Sequence, residues 1–82
     1  VIRLSNLEKN MSAIVDCVED TQPHDPIAQR LRDLGFVSGE PVRVVARGPW
    51  RAEPILILVG STRFALRRSE ADRVTVREVI GR

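Results

Sequence analysis

Asp16, Cys17, Glu19, Asp20, His24 and Asp25 crowd into one short stretch that also holds the only cysteine and the only histidine of the chain. Imidazole and carboxylate oxygens are ligands that a divalent transition metal accepts. His24, Asp20 and Asp25 are the three residues such a site would use. Two features of the stretch speak against it. Pro23 and Pro26 interrupt it, and nothing in its spacing brings the three side chains to one face. Metal ligands ordinarily sit on an ordered scaffold and are themselves held by further hydrogen bonds. The plainer reading is a solvated acidic loop beside a buried thiol, and no metal or other cofactor is expected.

Catalysis has little to draw on. The single His and single Cys leave no Ser/His/Asp set at a recognisable spacing. The glycine-bearing stretch "GEPVRVVARG" lacks the lysine and the spacing of a phosphate-binding loop. The chain reads as a protein that is not an enzyme.

Recognition of a partner is the remaining chemistry. Trp50 lies in "RGPWRAEP", bracketed by Pro49 and Pro54 and flanked by Arg47 and Arg51. Trp and Arg are enriched at binding hot spots, and prolines lower the cost of ordering a loop. Trp50, Arg47 and Arg51 therefore form the first candidate contact set, although Trp50 folded back over its own domain is an equal alternative. Arg30 and Arg32, on the polar side of a predicted helix, are the second set. Nucleic acid fits less well: single-strand binders stack bases on several aromatics along a basic groove, and this chain has one Trp, two Phe and no Tyr.

The 82 residues bound one domain, 1–82, with 43% hydrophobic content and a net charge of +2. With so few aromatics the core must be aliphatic, and Val and Ile favour strands. A lone cysteine excludes an intrachain disulfide, so a reducing cytoplasm fits. No signal peptide is visible, and the longest apolar run, Ile55 to Val59, is far short of a membrane span. Charge is unevenly spread. Residues 1–25 carry two basic and five acidic side chains, net −3, and residues 26–82 carry eleven Arg against six acids, net +5.

The elements that must position these residues follow from local pattern. Lys9-Asn10 reads as a turn, and Ser12 to Val18 as a strand with Ala13, Val15 and Cys17 on the inward face. Asp25 caps and Pro26 opens a helix over 26–34 with the apolar stripe Ile27, Leu31, Leu34. Gly35 stops it, and Phe36 or Val37 folds back over its end. Gly39 turns the chain into a strand from Pro41 to Arg47. "GPWRAEP" reads as a loop, and "ILILV" as a central strand covered on both faces. Gly60-Ser61 makes a two-residue hairpin turn into "TRFALRR". "SEAD" is one helical turn capped by Ser69 with Asp72 three residues on, and "RVTVREV" is the last strand. The expected fold is mainly β: a small antiparallel β-barrel of about five strands with one capping helix and a short helical turn. Exposed strand edges would permit a homodimer.

"LSNLEKNMSAIVDCV", "RLRDLGFVSGEPVRVV" and "PILILVGSTRFALRRSEADRVTV", in that order and spacing, resemble the FeoA family over nearly the whole chain. Asn10 stands where that family often has Gly, and Ser38 where many members have Pro. The resemblance implies an SH3-like barrel and a cytoplasmic accessory protein of ferrous iron transport. It further implies a partner, the transporter FeoB, approached at its cytoplasmic nucleotide-binding region, with contact to the membrane only through that partner. The same domain type occurs in some metal-dependent transcriptional repressors, so a regulatory domain of that kind is the alternative, followed by a small metal- or nucleic-acid-binding barrel.

Overall fold

Six strands alternate with three short helical segments along the chain. The computed structural model describes residues 1–50 and 53–79, the side chain of Trp50 excepted. In chain order these are β1 (Ile2–Arg3), a 3-10 turn (Leu4–Asn6), β2 (Ser12–Val18), α1 (Pro26–Leu34), β3 (Pro41–Trp50), β4 (Glu53–Val59), β5 (Thr62–Leu66), α2 (Arg68–Ala71) and β6 (Val74–Glu78). The strands form one sheet in the order β1-β6-β2-β3-β4-β5, and every neighbouring pair is antiparallel. The expected SH3-like, mainly β architecture is present, with one strand more than the five expected. The sheet curls around a core without closing: β1 and β5 are its two edges. No helix among the described residues is long and apolar enough to cross a membrane.

The core is aliphatic, as the composition requires. Val15, Val44, Ile55, Ile57, Val74 and Val76 from the strands meet Leu4 and Leu7 from the N-terminal segment, Ala28 and Leu31 from α1, and Phe36. Phe36 packs against the half-buried Phe64 of β5 with ring centroids 6.2 Å apart and planes tilted by 49°. This geometry suits the aromatic quadrupoles better than a face-to-face stack.

The helix boundaries follow the local signals. Asp25 has an extended backbone, and its side chain accepts from the Ile27 and Ala28 amides while Pro26 opens the first turn. Gly35 ends α1 at φ +119°, a conformation that a Cβ would penalise. Phe36 N–H then donates to the Leu31 carbonyl at 3.1 Å. Phe36, at 1% exposure, is the residue that folds back over the helix end, and Val37 stays exposed.

Four local expectations need correction. Cys17 is exposed. The β2–β6 register slips between Val15 and Cys17, and one extra residue in a strand inverts the alternation that follows it. Val18, and not Cys17, therefore turns inward. The supposed loop at Gly48-Pro49-Trp50 continues β3, with Trp50 paired to Glu53 of β4. Gly48 is required there, because a Cβ at this position would run into the Glu53 carbonyl and Pro54. "ILILV" is covered on one face only: Ile55, Ile57 and Val59 are buried and Leu56 and Leu58 half-buried. Finally, α2 starts at Arg68 with Arg67 in the capping position, and Glu70 accepts from the Arg67 amide at 2.8 Å. Ser69 lies inside this helix, and Asp72 accepts instead from the Ser5 hydroxyl.

Candidate functional site

The acidic loop between β2 and α1 is an architectural joint. Both oxygens of Asp25 are engaged. Oδ1 accepts from the Ile27 and Ala28 amides at 3.0 and 3.3 Å. Oδ2 accepts from the Thr21 amide at 3.0 Å, the Thr21 hydroxyl at 2.9 Å and Arg73 Nε at 2.8 Å. Arg73 donates further to the Ser69 carbonyl at 2.8 Å and to Thr21 Oγ1 at 3.1 Å. The Arg73 guanidinium, followed by the Thr21 amide, holds the Asp25 carboxyl well below the usual carboxylate range. The ion pair is almost dry, with side-chain exposures of 12% for Arg73 and 1% for Asp25.

Asp20 is likewise engaged, by Arg32 at 3.1 Å. Arg32 also donates to the Val18 carbonyl at 2.7 Å, tying α1 to the end of β2. His24 is exposed in a left-handed conformation at φ +55°. His24, Asp20 and Asp25 do line one concavity of about 570 Å³, with Pro23, Pro26, Gln29 and Arg32. Its carboxylates face the cations of the chain, and no group of three His, Cys, Asp or Glu among the described residues is placed to hold a metal ion.

Of the residues expected to meet a partner, Arg47 is half-buried and donates to the carbonyls of Ser5 at 2.9 Å and Leu7 at 2.5 Å. It pins the N-terminal 3-10 turn to β3. Arg30 is exposed, at 4.0 Å from Glu70. Arg51 and the Trp50 side chain lie outside the described residues. The Trp50 backbone sits opposite Glu53, whose carboxylate accepts from the Arg68 amide at 2.5 Å. The tip of the β3–β4 ribbon therefore lies beside Arg67 and Arg68.

That position leads to a surface that sequence reasoning passed over. The outward row across the sheet runs Ser12–Arg43–Leu58–Arg63, and the row nearer the ribbon tip pairs Leu56 with Ala65. Leu56 and Leu58 are half-buried, while Arg43, Arg63, Ala65 and Arg67 are exposed. Arg43, Arg63, Arg67 and Arg68 have no carboxylate within salt-bridge distance among the described residues. Arg3, Arg32, Arg73 and Arg77 each do. Four uncompensated guanidinium groups around an apolar ladder give this side a positive potential suited to an acidic surface. The signal was in the sequence: the Gly60-Ser61 turn fixes the hairpin register, and period 2 then places Arg63 and Arg67 on one face.

Comparison with known proteins fits this architecture. The FeoA domain model matches residues 2–78. No curated protein matches. Among solved structures, FeoA of Stenotrophomonas maltophilia, a procaryotic SH3-domain protein complexed with zinc, is 56% identical. It superposes at a TM-score of 0.87 over 93% of this chain and 89% of its own. FeoA from Chlorobium tepidum is 31% identical with a TM-score of 0.83, covering 99% of this chain and 73% of that one. A manganese-dependent transcriptional repressor shares the fold at a TM-score of 0.80 and 19% identity, over 95% of this chain and 41% of the repressor. By the extent of the domain match and by the identity of these relatives, the chain belongs to the FeoA domain family.

Proposed function

We propose that this chain is a non-enzymatic accessory protein of ferrous iron uptake that acts from the cytoplasm by binding the cytoplasmic nucleotide-binding region of a FeoB-type transporter. The observation that carries the reading is the FeoA domain match across residues 2–78, joined by 56% identity to a FeoA protein. Family membership supports a role in ferrous iron transport.

The side chains support the adaptor part of the reading. Asp20 and Asp25, which line the same concavity as His24, are held by Arg32 and Arg73. What the molecule offers outward is shape and positive charge. Binding of this kind changes a partner only through a difference in affinity between its conformations. Trp50 and Arg51 stay in the proposed contact set on their residue types. Arg30 is available from α1, whereas Arg32 and Arg47 act first as internal clamps.

Co-purification of the full chain with the transporter, with and without nucleotide, tests the proposal. Retention of the chain in at least one nucleotide state is expected. Absence of retention in both, together with normal ferrous iron import in cells lacking the chain, would overturn it.

A further inference from the structure

The free edge of β5 combines an open hydrogen-bonding ladder with a row of positive charge. β5 pairs with β4 from Val59↔Thr62 to Ile55↔Leu66 and with no other strand among the described residues. Gly60 and Ser61 form a two-residue turn, so Val59 and Thr62 are the closing, mutually hydrogen-bonded pair of the hairpin. Antiparallel pairs alternate between bonded and non-bonded. Thr62, Phe64 and Leu66 therefore direct their backbone groups to β4, and Arg63 and Ala65 direct theirs to the open edge. The other edge of the sheet, β1, is only two residues long.

The side chains along β5 select what can add there. Arg63 and Ala65 lie on the outer face and are exposed, as is Arg67 just past the strand end, whereas Phe64 and Leu66 turn toward the core. A second copy of this strand gains no charge complementarity. Antiparallel self-pairing centred on Ala65 brings Arg63 to Arg67 twice, and parallel self-pairing in register sets each arginine beside its own copy, where like charges directly opposite are destabilising. Antiparallel self-pairing centred on Phe64 avoids that clash, but it sets Arg63 against Ala65 and leaves the arginines without an anion. The same arrangement favours a strand of alternating character: acidic residues opposite Arg63 and Arg67, with apolar residues on the face shared with Phe64. Main-chain bonds would supply affinity and the alternate side chains specificity.

We propose that β5 is a docking edge for an extended acidic segment of a protein partner, which adds to the sheet as a strand alongside Thr62–Leu66. The proposal rests on the adaptor reading for its biological setting and on the β5 geometry for its chemistry. The uncompensated charges of Arg43 and Arg68 extend the attraction beyond the edge itself. Binding of this kind weakens with salt, because the arginines are exposed.

A synthetic peptide of alternating glutamate and valine, titrated into the 82-residue chain and followed by amide NMR and hydrogen exchange, tests this directly. The glutamate peptide is expected to shift the Arg63, Ala65 and Leu66 resonances and to slow exchange of the Arg63 and Ala65 amides. A lysine–valine peptide is expected to do neither. The double variant Arg63→Glu/Arg67→Glu is expected to bind roughly tenfold more weakly or worse. Ala65→Pro removes a donor facing the open edge, a place where an edge strand tolerates proline, and is expected to weaken binding with the charges intact. Far-UV circular dichroism of both variants verifies that they are folded; should Ala65→Pro fail to fold, the charge-reversed variant decides alone.

The proposal falls if neither peptide binds, if both bind equally, or if the perturbed amides lie on α1 or the 19–25 loop. It also falls if vesicles containing phosphatidylglycerol or a DNA duplex occupy this edge as tightly as the acidic peptide. Co-purification separates this outcome from failure of the adaptor reading. If the wild type and the charge-reversed variant are retained equally by the transporter, the adaptor reading stands and the β5 edge is refuted.

Discussion

On the β1–β6–β2 side of the sheet, Arg3 meets Glu19, Arg77 meets Asp16, Arg73 meets Asp25, and Arg32 on α1 meets Asp20. On the β3–β4–β5 side, the guanidinium groups of Arg43, Arg63, Arg67 and Arg68 have no carboxylate within salt-bridge distance among the described residues. The acidic excess of residues 1–25 is thus folded onto Arg3, Arg32, Arg73 and Arg77, and the basic excess of the remainder stays uncovered around β5. The same residue type serves opposite ends in the two regions. Where a carboxylate or carbonyl lies within reach it closes the fold, and where none does it remains available to a partner. A net charge of +2 conceals this division.

Mutations should separate the two regions sharply. The largest effect is expected from Asp25→Ala, which removes the helix cap and leaves a nearly buried Arg73 without its anion. Thermal unfolding should show Tm lower by about 10 °C or more, as for other losses of a cap together with an ion pair in a small domain. Acid sharpens the same point. The folded Asp25 carboxyl titrates below its unfolded value, so its contribution is fully present above about pH 4 and disappears as pH falls toward the folded pKa. Denaturation midpoints should decline with acid in the wild type, and Asp25→Asn should decline less steeply. A parallel decline in both would remove Asp25 as the source.

Arg47→Ala is next. Two carbonyls of the N-terminal segment lose a charged donor, and equilibrium urea unfolding should show a loss of about 2 kcal/mol. A change below about 0.5 kcal/mol would show that the clamp is dispensable and would return Arg47 to the candidate contact residues. Arg77→Ala breaks an exposed pair, for which about 0.5 kcal/mol or less is expected. The smallest effect on stability should come from Arg63→Glu/Arg67→Glu, within about 0.5 kcal/mol of the wild type, although this variant should have the largest effect on partner binding. A strongly destabilised double variant would mean that these arginines also belong to the fold.

Most local signals were read correctly from sequence. Asp25-Pro26 and Gly35 bound α1 because caps and left-handed stops act within a few residues. Asn10 takes the left-handed turn at φ +69°, and Gly60-Ser61 sets the register of β5. One local signal was misread: Ser69 lies inside α2, and Arg67 with Glu70 takes the capping position. The other failures depend on partners far along the chain. β1 exists because Ile2 pairs with Val76, and two residues carry no periodicity of their own. Cys17 faces outward because of one bulged residue that only the β6 pairing reveals. Pro49 and Trp50 resemble a loop by composition, yet Gly48 allows β3 to continue past them. Arg32 and Arg47 are indistinguishable in sequence from free surface arginines, because the carbonyls that engage them lie on other elements. The β5 edge was within reach of the same reasoning, since hairpin register and strand alternation place Arg63 and Arg67 together.

The most direct measurement is hydrogen exchange on the chain in the presence and absence of the cytoplasmic region of a FeoB-type transporter, the proposed partner. The account predicts that exchange slows at the Arg63 and Ala65 amides, with the loop 19–25 and α1 unchanged. Protection confined to α1 and that loop, with β5 exchanging as in the free protein, would contradict it.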